Sequence, residues 1–184
     1  MDPSAAFYQT LTGVSFTLLG LWFAVMQFSH GRWRSDPARH RTTLHIAMHF
    51  FLPGVLGLSS LLGSSAGSGL VWRVTFAAGG MIGLVESITY LRRHRIPLGA
   101  PARVLRLASP VLWVLVIIAS LLPARAGALT SLQVEGIAVG LVFICGLCYV
   151  WLAFAEREAE SEREAQSGRE AQSGRPEGQF GGRP

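Results

Sequence analysis

Five long apolar segments, joined by short polar connections, make up most of the first 155 residues. They cover residues 7–28, 42–62, 69–91, 107–122 and 129–154. A helix needs roughly 20 apolar residues, rising about 1.5 Å each, to cross the hydrocarbon core of a bilayer. The pattern therefore predicts a polytopic transmembrane bundle with five spans. The count falls to four if the shortest segment, 107–122, does not cross.

The predicted fold class is all-α, because backbone polar groups in lipid must form their hydrogen bonds within the spanning segment. A transmembrane barrel would instead show short segments of alternating hydrophobicity. Small residues allow helices to approach closely in a membrane. Two pairs of glycines recur at a spacing of four within the apolar segments, and we expect them at helix contacts: Gly79 with Gly83, and Gly136 with Gly140.

The charged residues indicate how the chain is oriented. All 16 basic residues are arginines; four follow the first apolar segment and five the third, against none and one in the other two connections. Clustered positive charge stays in the cytoplasm, so the N-terminus is predicted outside and the C-terminus inside. The formal charge of +5 then reflects topology and not nucleic-acid binding. The predicted location is the bacterial cytoplasmic membrane, with the lipid bilayer as partner.

Residues 156–184 form a polar tail that differs in composition from the membrane domain, residues 1–155. The hexapeptide EAQSGR occurs at 164–169 and again at 170–175. The first part of the tail has helix-forming residues that could extend the fifth segment by a turn or two. Beyond Ser167, glycines and prolines with almost no apolar residue cannot offset the entropy of ordering. We expect this part to be a disordered cytoplasmic tail.

Several polar side chains are predicted to meet near the cytoplasmic ends of the segments. Glu86 lies six residues before Arg92, which places it about 9 Å from that end at 1.5 Å per residue. On the same scale His45 and His49 lie about 4–5 Å and 10 Å deep. The short connection between the second and third segments makes them antiparallel neighbours. Gln27 lies near the same end of the first segment.

This predicted cluster supports two interpretations. An ionisable residue inside a membrane is costly and is a functional hypothesis by default, and histidine changes its charge near neutral pH. His45, His49, Glu86 and Gln27 could thus form a proton or cation site. Alternatively, a His–Glu or Tyr–Glu hydrogen bond could simply hold two helices together. Pro53 removes the backbone donor that would bond the carbonyl of His49.

A second polar pair is predicted near the outer surface. Arg73 lies about 6 Å from the start of its segment, and Glu135 lies at a similar depth from the start of its own, taking 1.5 Å per residue. At these similar depths the two side chains could form a structural ion pair across the third and fifth segments. Arg73 could equally extend its charged group to the lipid headgroups alone.

Two patterns leave a redox enzyme open as the alternative function. Cys145 and Cys148 have CxxC spacing, but a thiol exchange pathway normally needs a second cysteine pair. His45 and His49 at i, i+4 resemble half of a metal or haem site, without the further ligands that zinc or haem requires. We therefore expect no cofactor and no metal. The favoured hypothesis is a non-enzymatic membrane protein, either an accessory subunit or the protomer of an oligomeric channel or transporter. Its partner would be a second copy or another membrane protein.

Overall fold

The computed structural model describes residues 3–28, 37–65, 69–93, 100–123, 125–126 and 128–173. Within these residues five helices are long and apolar enough to cross a membrane. The helices are α1 (Pro3–Phe28), α2 (Pro37–Ser65), α3 (Gly69–Arg93), α4 (Ala100–Leu121) and α5 (Ser131–Ser173). Between α4 and α5, β1 (Arg125–Ala126) pairs antiparallel with β2 (Leu129–Thr130). The predicted all-α bundle of transmembrane type is confirmed.

Helix α4 is longer than the apolar segment that predicts it. It begins at Ala100, seven residues before position 107, so Arg103 and Arg106 belong to the helix. Pro101 lies in its first turn, where the fixed φ of proline and its missing N–H suit a helix start. At 22 residues the helix is about 33 Å long at 1.5 Å per residue. This length is sufficient for a fifth span.

The chain divides into two compact units, Met1–Tyr149 and Val150–Pro184. Helix α5 begins in the first unit and continues in the second as far as Ser173. Helical structure thus extends six residues past Ser167, where the sequence predicts a loss of order. The alanine, glutamate, glutamine and arginine of the repeat are all good helix formers, which explains the extension. Residues 174–184 of the predicted tail lie outside the described residues.

In the first unit, aromatic and branched side chains fill the space between the helices. Tyr8 from α1, Phe76 from α3 and Trp113 from α4 are almost completely buried. The outward faces carry exposed apolar side chains in large numbers, such as Leu21 and Leu70. A water-soluble protein rarely exposes so much contiguous apolar surface, whereas a lipid-facing surface requires it.

The glycines of α3 lie at very close helix contacts. A Cβ atom added to Gly79 would lie 2.8 Å from Cδ2 of Leu56 on α2. A Cβ atom on Gly83 would overlap the indole ring of Trp113 on α4. These two glycines, on one stripe of α3, therefore allow two different neighbours to approach its backbone.

The glycines of α5 face α1 with less crowding. A Cβ atom on Gly136 would lie 3.1 Å from Cε1 of Phe7, a tight contact. On Gly140 it would lie 3.9 Å from Cζ of the same ring, which is ordinary van der Waals distance. Gly136 thus lies at a close contact, whereas Gly140 leaves room for a methyl group.

Candidate functional site

A hydrogen bond between α2 and α3 joins the two titratable groups at the centre of the candidate site. Nδ1 of His45 and Oε2 of Glu86 are 2.5 Å apart. The His45 side chain is fully buried, and that of Glu86 is 12% exposed. Either His45 donates its Nδ1–H to the carboxylate, or a carboxylic acid donates to the ring nitrogen. In both cases one proton lies between an imidazole and a carboxyl group.

His49 continues this network from α2 to α4. Its Nδ1 lies 2.9 Å from the carbonyl oxygen of His45, and its Nε2 lies 2.9 Å from Oγ of Ser109. A carbonyl oxygen only accepts, so Nδ1 is the atom that donates. In the neutral ring Nε2 then accepts from the Ser109 hydroxyl. Oγ of Ser109 is in turn 2.8 Å from Oγ of Ser87 on α3. The buried polar cluster below comprises His45, His49, Ser87, Ser109 and Glu86.

Protonation of His49 would reverse the direction of the hydroxyl hydrogen bonds. In the neutral ring Ser87 can donate to Ser109, and Ser109 donates to Nε2. In the imidazolium both ring nitrogens donate, so Nε2–H would donate to Ser109 and Ser109 to Ser87. The chain of hydroxyls can therefore respond to a proton on His49 without any movement of the helices.

Aromatic rings enclose His45 on two sides. The His45 ring is stacked on Tyr90 of α3, with centroids 4.0 Å apart and planes 4° from parallel. Tyr149 of α5 meets it edge-on at 4.7 Å. Arg106 of α4 lies over the outer face of Tyr90 at 5.8 Å and donates to the carbonyl of Leu91. The rings shield the imidazole from lipid, which strengthens its electrostatic interaction with Glu86.

Four of the contributing residues are not predicted from the sequence: Ser87, Ser109, Gly146 and Tyr149. A Cβ atom on Gly146 would lie 2.7 Å from Cβ of His49, so α5 approaches α2 closely at this point. The sequence signal for Ser109 is weak but present, since a hydroxyl residue stands in an otherwise apolar segment. For Gly146 and Tyr149, only knowledge of which face of α5 meets α2 would identify them.

Gln27 does not join the buried polar cluster. Its side chain is exposed near the end of α1. At this level α1 contacts α2 through other residues, because Nε1 of Trp22 donates to the carbonyl of Thr43 and Oγ1 of Thr43 lies 3.4 Å from Sδ of Met26. Consecutive residues on a helix point about 100° apart, so Gln27 is turned away from the interface that Met26 occupies.

Arg73 and Glu135 do not form the predicted hydrogen-bonded ion pair. Nη1 of Arg73 donates to the carbonyls of Ser120 and Leu122, at 2.9 Å and 2.5 Å, and Nη2 donates to Oγ of Ser131 at 3.3 Å. The last carbonyls of a helix have no partner within the helix, which makes the end of α4 a strong acceptor for the guanidinium. Neither carboxylate oxygen of the buried Glu135 has a hydrogen-bond partner among the described residues.

The residues that suggest redox or metal chemistry are the two cysteines of α5 and the histidines of α2. Cys145 is buried and Cys148 exposed, and both are free thiols. Both ring nitrogens of His49 bond to protein groups, so a metal could bind there only by displacing one of them. Among the described residues no group of three or more His, Cys, Asp or Glu side chains is placed to hold a metal ion.

The buried polar cluster thus contains two sets of hydrogen-bonded side chains, Glu86 with His45 and His49 with Ser109 and Ser87. The backbone carbonyl of His45 links the two sets. Carboxyl groups, imidazoles and hydroxyls can each accept and donate a proton in a hydrogen bond. Comparison with protein-family models, with curated proteins and with solved structures finds no match for this chain.

Proposed function

We propose that this chain is a non-enzymatic membrane protein, the protomer of a proton- or cation-linked channel or transporter, with His45 and Glu86 as its coupling site. The observation that carries the proposal is the 2.5 Å contact between Nδ1 of His45 and Oε2 of Glu86. Ionisable residues inside a membrane are rare and usually line ion or proton pathways. Here they are placed where two antiparallel helices meet.

In this proposal a change in protonation alters how strongly the helices are held together. The charged pair, imidazolium and carboxylate, attracts α2 to α3 across a region of low dielectric. A proton that arrives at Glu86 converts the carboxylate to a neutral acid and removes this attraction. Each such step changes the charge at the α2–α3 contact, which is the event that a coupled conformational change requires.

A transport path at an interface with another subunit fits the packing best. Among the described residues, large apolar side chains such as Phe76 and Trp113 are buried in the centre of the bundle. The part of the site that reaches the surface is the Glu86 side chain, which is 12% exposed although its Oε1 atom is buried. We therefore propose a homo-oligomer, or a complex with a membrane partner protein, in which Glu86 faces the path.

The test is proton and cation flux into liposomes that contain the purified protein. We expect pH-dependent flux in the wild type and a loss to the level of empty liposomes in Glu86→Gln. The amide keeps the shape and a hydrogen-bonding oxygen but removes the charge and the exchangeable proton. Glu162→Gln, an exposed glutamate of α5, is the matched control and should conduct like the wild type. Equal flux in Glu86→Gln and the wild type would refute the coupling role.

We also propose that the chain lies in the bacterial cytoplasmic membrane with its N-terminus outside and its tail in the cytoplasm. The support is the distribution of arginines among the connections. In a variant with both native cysteines replaced by serine, single cysteines are introduced as Asp2→Cys or Ser167→Cys. A membrane-impermeant maleimide should label the first in intact cells and the second only after the membrane is opened. Labelling of Ser167→Cys in intact cells would contradict this orientation.

A further inference from the structure

Glu135 is a second buried carboxyl group, far from the buried polar cluster. Its exposed fraction is 0%, and neither of its oxygens has a hydrogen-bond partner among the residues that the structure describes. It lies on α5, four residues after the first helical residue Ser131, or about 6 Å along the helix axis. A buried polar group without a partner is costly, so this carboxyl group calls for a physical explanation.

The neighbouring hydrogen-bond donors donate to acceptors other than Glu135. The Tyr8 hydroxyl donates to the carbonyl of Leu132 at 2.8 Å, although it would lie only 3.5 Å from a Cβ atom on Gly136, the residue next to Glu135. The Arg73 guanidinium donates to two carbonyls and a hydroxyl around the end of α4. Residues 56–63 of α2 and 113–121 of α4, at the same end of the bundle, include no titratable side chain. Among the side chains that the structure describes, Tyr8 from α1 and Arg73 from α3 are thus the titratable and charged groups that face Glu135.

Opposing influences act on this carboxyl group. Removal from water without hydrogen-bond donors favours the neutral acid. The Arg73 guanidinium donates to Oγ of Ser131, one turn before Glu135 on α5, and its positive charge favours the carboxylate. The place of Glu135 in the first turns of α5, where the helix dipole is positive, has the same effect. The site therefore contains influences that favour each of the two protonation states.

We propose that Glu135 is a second proton-binding site of the bundle, which takes up and releases a proton independently of His45 and Glu86. A proton fits this site better than a metal ion for two reasons. A proton needs only one carboxylate oxygen, whereas a hard metal ion needs several oxygen ligands beside the repelling charge of Arg73. No cluster of three potential metal ligands exists among the described residues.

The two sites lie at opposite ends of the first unit. Arg73, which faces Glu135, and Glu86 are 13 residues apart on α3, or about 20 Å along its axis. Between these levels most core side chains are apolar, and Leu56, Phe76 and Val142 are fully or almost fully buried. The bundle therefore has one proton-binding carboxyl group on each side of an apolar layer. Any use of Glu135 in transport rests on the function proposed above, whereas its protonation does not.

Infrared difference spectroscopy of the full-length protein in lipid bilayers tests this inference directly. Spectra recorded between acidic and alkaline buffer report the C=O band of every carboxyl group that changes its protonation. We expect one component of this band to be lost in Glu135→Gln and retained in Glu86→Gln. The exposed control Glu162→Gln should also retain it. Unchanged difference spectra in Glu135→Gln would show that Glu135 does not exchange a proton in this range and would overturn the proposal.

A second variant keeps the test decisive if Glu135→Gln fails to fold. Glu135→Asp retains a carboxyl group but moves it by one methylene, so the same band component should appear at a shifted frequency. A band at the wild-type frequency in Glu135→Asp would assign it to another residue and overturn the proposal.

The liposome experiment separates failure of this inference from failure of the proposed function. A Glu135 band that titrates in a protein without any flux would leave the second proton site standing and remove the transport role. Flux that depends on Glu86, with identical difference spectra for Glu135→Gln and the wild type, would support the transport role and overturn the second proton site.

Discussion

A methyl group added at Gly83 is expected to destabilise the bundle by about 1–3 kcal/mol, the usual cost of overpacking a filled core. Its Cβ atom would overlap the indole ring of Trp113, and that ring is 1% exposed, so it has little room to move away. Gly83→Ala should therefore lower the midpoint of thermal unfolding in detergent, followed by the loss of monodisperse protein after heating.

The chain offers a matched control for this substitution. A Cβ atom at Gly20 of α1 meets nothing within 4 Å, and alanine is a better helix former than glycine by about 1 kcal/mol. Gly20→Ala should therefore be as stable as the wild type or slightly more stable. Combining Gly83→Ala with Trp113→Phe removes part of the overlapping ring, so the two losses should be less than additive. Equal stability of Gly83→Ala and Gly20→Ala would show that this close contact is absent from the folded protein.

Depth along the membrane normal is the coordinate that the sequence predicts well. Apolar segment lengths predict five helices, and counting 1.5 Å per residue puts His45 and Glu86 at one level, where their side chains meet. The spacing of Gly79 and Gly83 likewise predicts close helix contacts, because the requirement for small residues is local. These features depend only on distances along one helix or between two consecutive helices.

The rotation of each helix about its axis is what the sequence does not supply. Gln27 has a suitable depth but faces away from the cluster, and Ser109 has a suitable face that only the packing of α4 reveals. Arg73 and Glu135 have similar predicted depths, but the Arg73 guanidinium donates to carbonyls at the end of α4 instead. Such competition among acceptors depends on several helices at once, so no pairwise depth argument can resolve it.

Replacement of His45 by phenylalanine is expected to cost about 3 kcal/mol, the low end for breaking a buried ion pair, because the Glu86 side chain is 12% exposed. Phenylalanine keeps a flat ring that can stack on Tyr90, as the imidazole does at 4.0 Å. The variant therefore removes mainly the hydrogen bond to Glu86 and leaves a carboxyl group without its partner. Thermal unfolding in detergent measures the loss, with His40→Phe, at an exposed histidine, as the control.

The double variant His45→Phe with Glu86→Leu separates a structural role of the pair from a functional one. Removing both partners leaves no unsatisfied polar group, so most of the stability should return. Flux in liposomes should nevertheless remain absent, because neither remaining side chain can bind a proton. A double variant that regains both stability and pH-dependent flux would mean that the pair only holds α2 against α3. Recovered stability without flux would locate the coupling chemistry in the His45–Glu86 pair itself.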